Sequence, residues 1–134
     1  MSAAQYLRDV SNAMHDRYSG DCVTHACRLV ELLLAEGREP WIGRLRHWTT
    51  VREQPFRLPL VPVRFAGARE LPAWSTHYVA CAGNEVYDPL LDAPIAIDAY
   101  TETVFGMAVE IETLLDAETT ARLARNGELR RAMR

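Results

Sequence analysis

From Asp21 to Gly37 the chain reads as one uninterrupted helix, and Pro40 forbids its continuation. Asp21 is a good N-cap. Cys22, Ala26, Leu29 and Leu33 then recur on one stripe, with Val23, Val30 and Leu34 beside it, and Gly37 supplies the stop. Before this helix, residues 2–17 carry Tyr6, Val10, Ala13 and Met14 at helical spacing behind a Ser2 cap. After it the period falls from 3.6 to 2. Trp41 to Leu45 reads as a short strand, and residues 46–57 as polar and irregular. Leu58 to Phe65 alternates but carries Pro59 and Pro62, so it reads as an edge strand or extended loop. Ser75 to Cys81 and Glu85 to Leu91 read as a hairpin around Ala82-Gly83-Asn84. Asp98 caps a short helix through Phe105, ended by Gly106. Val109 to Ile111 offers a last strand, and residues 116–133 a helix interrupted near Asn126-Gly127. The expected fold is α+β: N-terminal helices packed on a small, mostly antiparallel sheet, closed by a C-terminal helix, in one domain over 1–134.

Composition narrows the function. With 49% apolar residues the chain can bury a core, and with 25% charged it is expected to dissolve. All 15 cationic side chains are Arg, which reads as the codon bias of a GC-rich bacterial genome. A net charge of −3 and scattered arginines give no basic stripe for nucleic acid. The apolar runs fall far short of the roughly 20 residues that span a membrane. No signal-peptide pattern opens the chain, so a cytoplasmic protein, or one exported without a cleaved signal, is expected. In that setting the three cysteines are expected to be free thiols.

Cys22 falls on the first turn of the long helix. A thiol with the usual pKa near 8.5 is only a few per cent thiolate at neutral pH. A helix N-terminus and a neighbouring imidazolium both favour the thiolate. The hairpin offers that imidazole in His77, and a carboxylate eleven positions on in Asp88. With a loop of even length, Val79 lies opposite Asp88, and His77 and Asp88 become diagonal neighbours on one face, Cβ atoms about 7–8 Å apart. A three-residue loop would turn Asp88 away. In this arrangement Cys22 is the nucleophile, His77 the base and later acid, and Asp88 the group that fixes the tautomer. The Cys22 backbone N–H, unpaired at a helix start, is an oxyanion donor.

The segments GDCVTHACRLVELLLAEGREPWIGRL and THYVACAGNEVYDPLLDAPI, with the continuation IDAYTETVFG, resemble the papain-like cysteine hydrolase superfamily. The closest likeness is to transglutaminase-like domains and small bacterial papain-fold toxins or effectors. The resemblance implies a papain-like or transglutaminase-like fold with Cys22, His77 and Asp88 as a catalytic triad. It implies acyl chemistry on a protein or peptide amide: proteolysis, glutamine deamidation or transglutaminase-like transfer. A toxin of this kind implies a cognate immunity or partner protein. No metal or organic cofactor is implied. Two departures stand out. Family proteases place a Gln shortly before the Cys, where this chain has Asp16, and Gln5 is too distant. Asp21 before the Cys is similar to the Asp-Cys pair of NlpC-type peptidases, but Val23-Thr24 replaces their Ser-Gly. Asp21 and Trp74 remain substrate or oxyanion candidates.

Other uses of the same residues stand beside this one. Each cysteine has a plain reading as a small buried hydrophobe, favoured for Cys27 and Cys81. Cys22, His25, His77 and Cys81 would make a zinc set, but without a Cys-x-x-Cys pair. His25 is expected to be solvated or capping, and His15 and His47 to be surface residues. Asp92 is the alternative carboxylate, and Asp88 has a simple use as a turn cap before Pro89. The terminal ELRRAMR reads as a solvated helix end. A non-catalytic binding module (adaptor or immunity-type) and a leader peptidase for a peptide natural product are the alternative functions.

Overall fold

The computed structural model describes residues 1–133. Two helices come first: α1 (Ala3–Ala13) and α2 (Cys22–Ala35). Strand β1 (Pro40–Leu45) follows, then β2 (His47–Val51) and β3 (Gln54–Leu58). After a 3-10 turn at Val63–Phe65 come β4 (His77–Ala82), β5 (Glu85–Tyr87) and β6 (Ile95–Ala96). The chain closes with α3 (Ile97–Phe105), β7 (Ile111–Leu115), α4 (Ala117–Arg125) and α5 (Leu129–Ala132). The main sheet has the order β6-β5-β4-β1-β7, with every pairing antiparallel. The architecture is therefore α+β. No described helix is long and apolar enough to cross a membrane.

Strand alternation gives the sheet two apolar faces. Ile42, Ala80, Ala82 and Tyr87 face the cluster of Leu29, Val30 and Leu33 from α2, with Leu7 of α1. Leu45, Val79, Cys81 and Val86 face the other way, onto Tyr100, Val104 and Phe105 of α3. Gly43 lets neighbouring strands close over β1: a Cβ there would stand 2.8 Å from Ile111 Cγ2 and 3.2 Å from Val79 Cγ2.

Several elements differ from the sequence expectation. Helix α1 has its Ser2 cap but stops at Ala13, not at residue 17. A tertiary group ends it. The Arg64 guanidinium donates to the carbonyls of Ser11 and Met14 and to Ser11 Oγ, satisfying the helix C-terminus four residues early. Residues 46–57 are not irregular. They form most of the β2–β3 hairpin, whose turn residues Arg52 and Glu53 both take positive φ, 51° and 65°. That conformation is ordinarily given to Gly or Asn, so the turn had no sequence mark. Asp98 lies inside the first turn of α3 rather than at its cap, which is Ala96. The last strand sits at Ile111–Leu115, later than expected. The C-terminal helix is broken at Asn126-Gly127, and its end is not simply solvated: Leu129 and Met133 are buried in the core.

The β2–β3 arm forms its own two-stranded sheet outside the main one. Trp48 (49% exposed) and Phe56 (51%) reach solvent there, with the Arg57 guanidinium 4.8 Å from the Trp48 ring centre.

Candidate active site

Asp21 builds the start of α2. Its carboxylate accepts the Thr24 N–H at 2.7 Å and the Thr24 hydroxyl at 3.0 Å, so Cys22 is the first helical residue. These hydrogen bonds hold the Asp21 carboxyl below the usual carboxylate range. The side chain is thus an acceptor already engaged as a cap and has no proton to offer an oxyanion. Beyond it, Cys22 N–H occupies a position with no intrahelical acceptor.

The hairpin register fixes the second half. Ala82 pairs with Glu85 and Ala80 with Tyr87, so Gly83-Asn84 is a two-residue turn, with Gly83 at φ +58°. By the same register Asp88 falls opposite Val79, on the face of His77 and Cys81. His77 Nε2 donates to Asp88 Oδ2 at 2.9 Å, with His77 0% and Asp88 2% exposed. Asp88 Oδ1 accepts the Leu90 N–H at 3.0 Å, so the carboxylate caps its own turn while it also accepts from His77. The Tyr100 hydroxyl of α3 donates to Oδ2 as well. Tyr100 was not foreseen as part of the site; a buried tyrosine in the IDAY segment needing a partner was the available signal.

This leaves Nδ1 of His77 as the free ring atom. It is buried and has no hydrogen-bond partner. The Cys22 thiol is near enough to raise the affinity of the ring for a proton, yet the sulfur and Nδ1 do not meet full hydrogen-bond geometry. Long nucleophile–base contacts are common in unliganded sites and tighten on binding. The ring itself is shielded. Trp74 stacks on it at 4.4 Å between centroids, and Phe105 meets it edge-on at 5.8 Å. Trp74 thus covers the ion pair, held in place by mutual backbone hydrogen bonds with Leu60.

Comparison with family models, curated proteins and solved structures returned no match.

The remaining candidates fall outside this cluster. His25 is buried rather than solvated: Nε2 donates to the Ser19 carbonyl at 2.9 Å and Nδ1 accepts from the Tyr6 hydroxyl at 2.7 Å. It therefore pins the loop that leads into Cys22. Gly20 in that loop has φ +79°, and a Cβ there would lie 2.9 Å from His25 Nε2, so only glycine fits. Both nitrogens of His25 being taken, the four zinc candidates do not converge; among the described residues no three His, Cys, Asp or Glu side chains do. Cys81 is fully buried, and burial pushes its thiol up to about 12. Cys27 is half-buried at the edge of the core, its pKa likewise raised by burial. Asp92 is exposed, as is His15, whereas His47 is half-buried at the start of β2 rather than on the surface.

Burial alone would push a proton off His77, but the charge and hydrogen bond of Asp88, and then Cys22, outweigh it and raise the ring to about 9. Asp88 is held below its ordinary value: burial opposes ionisation, and His77, the Leu90 N–H and the Tyr100 hydroxyl overcome it. Two consequences for stability follow with opposite signs. The His77 contribution is fully present below pH 6.5 and is lost as pH rises through about 9. The Asp88 contribution is present above the ordinary carboxylate pKa and is lost as pH falls through the lowered one. Urea melts from pH 4 to 10 are expected to give a plateau between these limits, with a fall of about 3 kcal/mol on the alkaline side from His77. A flat profile from pH 6.5 to 10 would contradict a charged imidazole in the fold.

Proposed function

We propose that the protein is a papain-like or transglutaminase-like thiol enzyme that performs acyl chemistry on a protein or peptide amide. The single observation that carries the reading is the buried His77–Asp88 pair, whose one free nitrogen is left for Cys22 at the tip of α2. In this reading the proton of Cys22 already rests on His77 Nδ1, in keeping with the charged imidazole, and the thiolate sulfur attacks the amide carbon. The carbonyl pair moves onto oxygen, which the Cys22 N–H stabilises. The carbon–nitrogen bond breaks as Nδ1–H protonates the leaving amine, giving a thioester. Water then completes hydrolysis or deamidation, and an acceptor amine completes transfer. Asp88 holds Nε2–H and so presents Nδ1. The resemblance extends the proposal to a bacterial toxin or effector with a cognate immunity protein.

The first test is alkylation. Iodoacetamide at pH 6 is expected to label Cys22 at least tenfold faster than Cys27 or Cys81, read by peptide mass spectrometry. Equal slow labelling of all three would favour the non-catalytic reading, which the exposed Trp48 and Phe56 of the β2–β3 arm suit as a protein-binding surface. Mass spectra of candidate proteins incubated with wild type and Cys22→Ala then read the outcome as a cut, a +1 Da shift or a cross-link.

A further inference from the structure

The site as described offers an oxyanion only one donor, Cys22 N–H. The usual glutamine has no counterpart, since Asp16 stands there and both Asp16 and Gln5 are exposed. Tyr18, four residues before Cys22, holds the one tyrosine hydroxyl that is buried and unpartnered among the described residues. A buried hydroxyl without an acceptor is unfavourable for the fold and asks for an explanation.

The surroundings of Tyr18 place it in the site. Its ring meets Trp74 edge-on at 5.0 Å, and Trp74 is the ring stacked on His77. On another side it meets His25 at 5.7 Å, one turn along the helix that begins at Cys22. His25 also ties the Ser19 carbonyl, so the backbone between Tyr18 and Cys22 is fixed from both ends. Tyr18, Ser19 and Gly20 line a cavity of about 400 Å³, walled opposite by Leu71 and Pro72.

We propose that the Tyr18 hydroxyl is the second oxyanion donor, completing with Cys22 N–H the hole that holds the tetrahedral intermediate. The proposal rests on the acyl-transfer reading of Cys22 and His77. The hydroxyl keeps its proton throughout: burial, then the nearby charges of Asp88 and Cys22, push its pKa well above the ordinary value. A neutral donor that meets a charge appearing only in the transition state lowers the barrier without tightening substrate binding.

The probe is p-nitrophenyl acetate. Sulfur attack forms the C–S bond, the carbonyl pair becomes the oxyanion, and its collapse expels p-nitrophenolate and leaves acetyl-Cys22. Tyr18→Phe is expected to slow that acylation about 10²–10³-fold. Iodoacetamide alkylation of Cys22 forms no oxyanion and is expected to stay within about twofold of wild type. Because Phe keeps the ring contacts and removes only an unpaired hydroxyl, the melting temperature is expected to hold or rise. Acylation within about threefold of wild type would overturn the proposal, as would equal losses in acylation and alkylation. A clearly lower melting temperature would also overturn it, by showing that the hydroxyl has a structural partner. A wild type that forms no acetyl-Cys22 would instead remove the acyl-transfer reading itself.

Discussion

Asp88→Ala is expected to destabilise the protein by about 3–5 kcal/mol near pH 6, the usual cost of removing one partner from a buried ion pair. Three groups lose their acceptor at once: His77 Nε2–H, the Tyr100 hydroxyl and the Leu90 N–H. None is open to solvent; His77 and Tyr100 are 0% exposed. The sharper expectation concerns pH. In the wild type, His77 is raised to about 9 because Asp88 outweighs burial. Without Asp88, burial is left as the main influence and disfavours the imidazolium. The variant should then lose stability as pH falls through 6.5, whereas the wild type loses it as pH rises towards 9. Urea melts of both proteins at pH 5.5, 7 and 9 read this reversal. Parallel profiles would show that the two side chains are not electrically coupled.

His77→Gln is expected to slow acylation of Cys22 about 10²–10⁴-fold, the ordinary yield of a positioned acid–base group. Glutamine is chosen because its amide can still donate to Asp88 and keep the carboxylate satisfied. What it lacks is a site that takes the thiol proton and returns it. The loss should be larger for an amide, which needs its leaving nitrogen protonated, than for p-nitrophenyl acetate, which does not. Single-turnover rates on the two probes measure it. Equal acylation by wild type and variant would mean that Cys22 reacts without its neighbour.

The parts legible in the sequence were those that local chemistry marks. Asp21 before an apolar stripe announced the start of α2, and Ala82-Gly83-Asn84 announced a hairpin, but only the structure fixes the two-residue turn that sets the facing of His77 and Asp88. The parts that escaped depend on distant residues. Arg64, 50 positions from Met14, decides where α1 ends. The Arg52-Glu53 turn uses residues that carry no turn preference, so the β2–β3 hairpin was read as irregular. His25 looked like a flank residue because helical spacing cannot show the Tyr6 hydroxyl and Ser19 carbonyl that enclose it. The surroundings of Tyr18 and Tyr100 were hidden for the same reason: a tyrosine takes its meaning from what lies near its oxygen.

The tight bend at Gly83-Asn84 also sets how insertions in the gene would act on the ribbon. One extra codon between those two would swing the carboxylate to the opposite surface of the ribbon, and two would bring it back. An odd insertion would therefore part Asp88 from His77 while leaving both side chains in the gene, and an even one would keep them together.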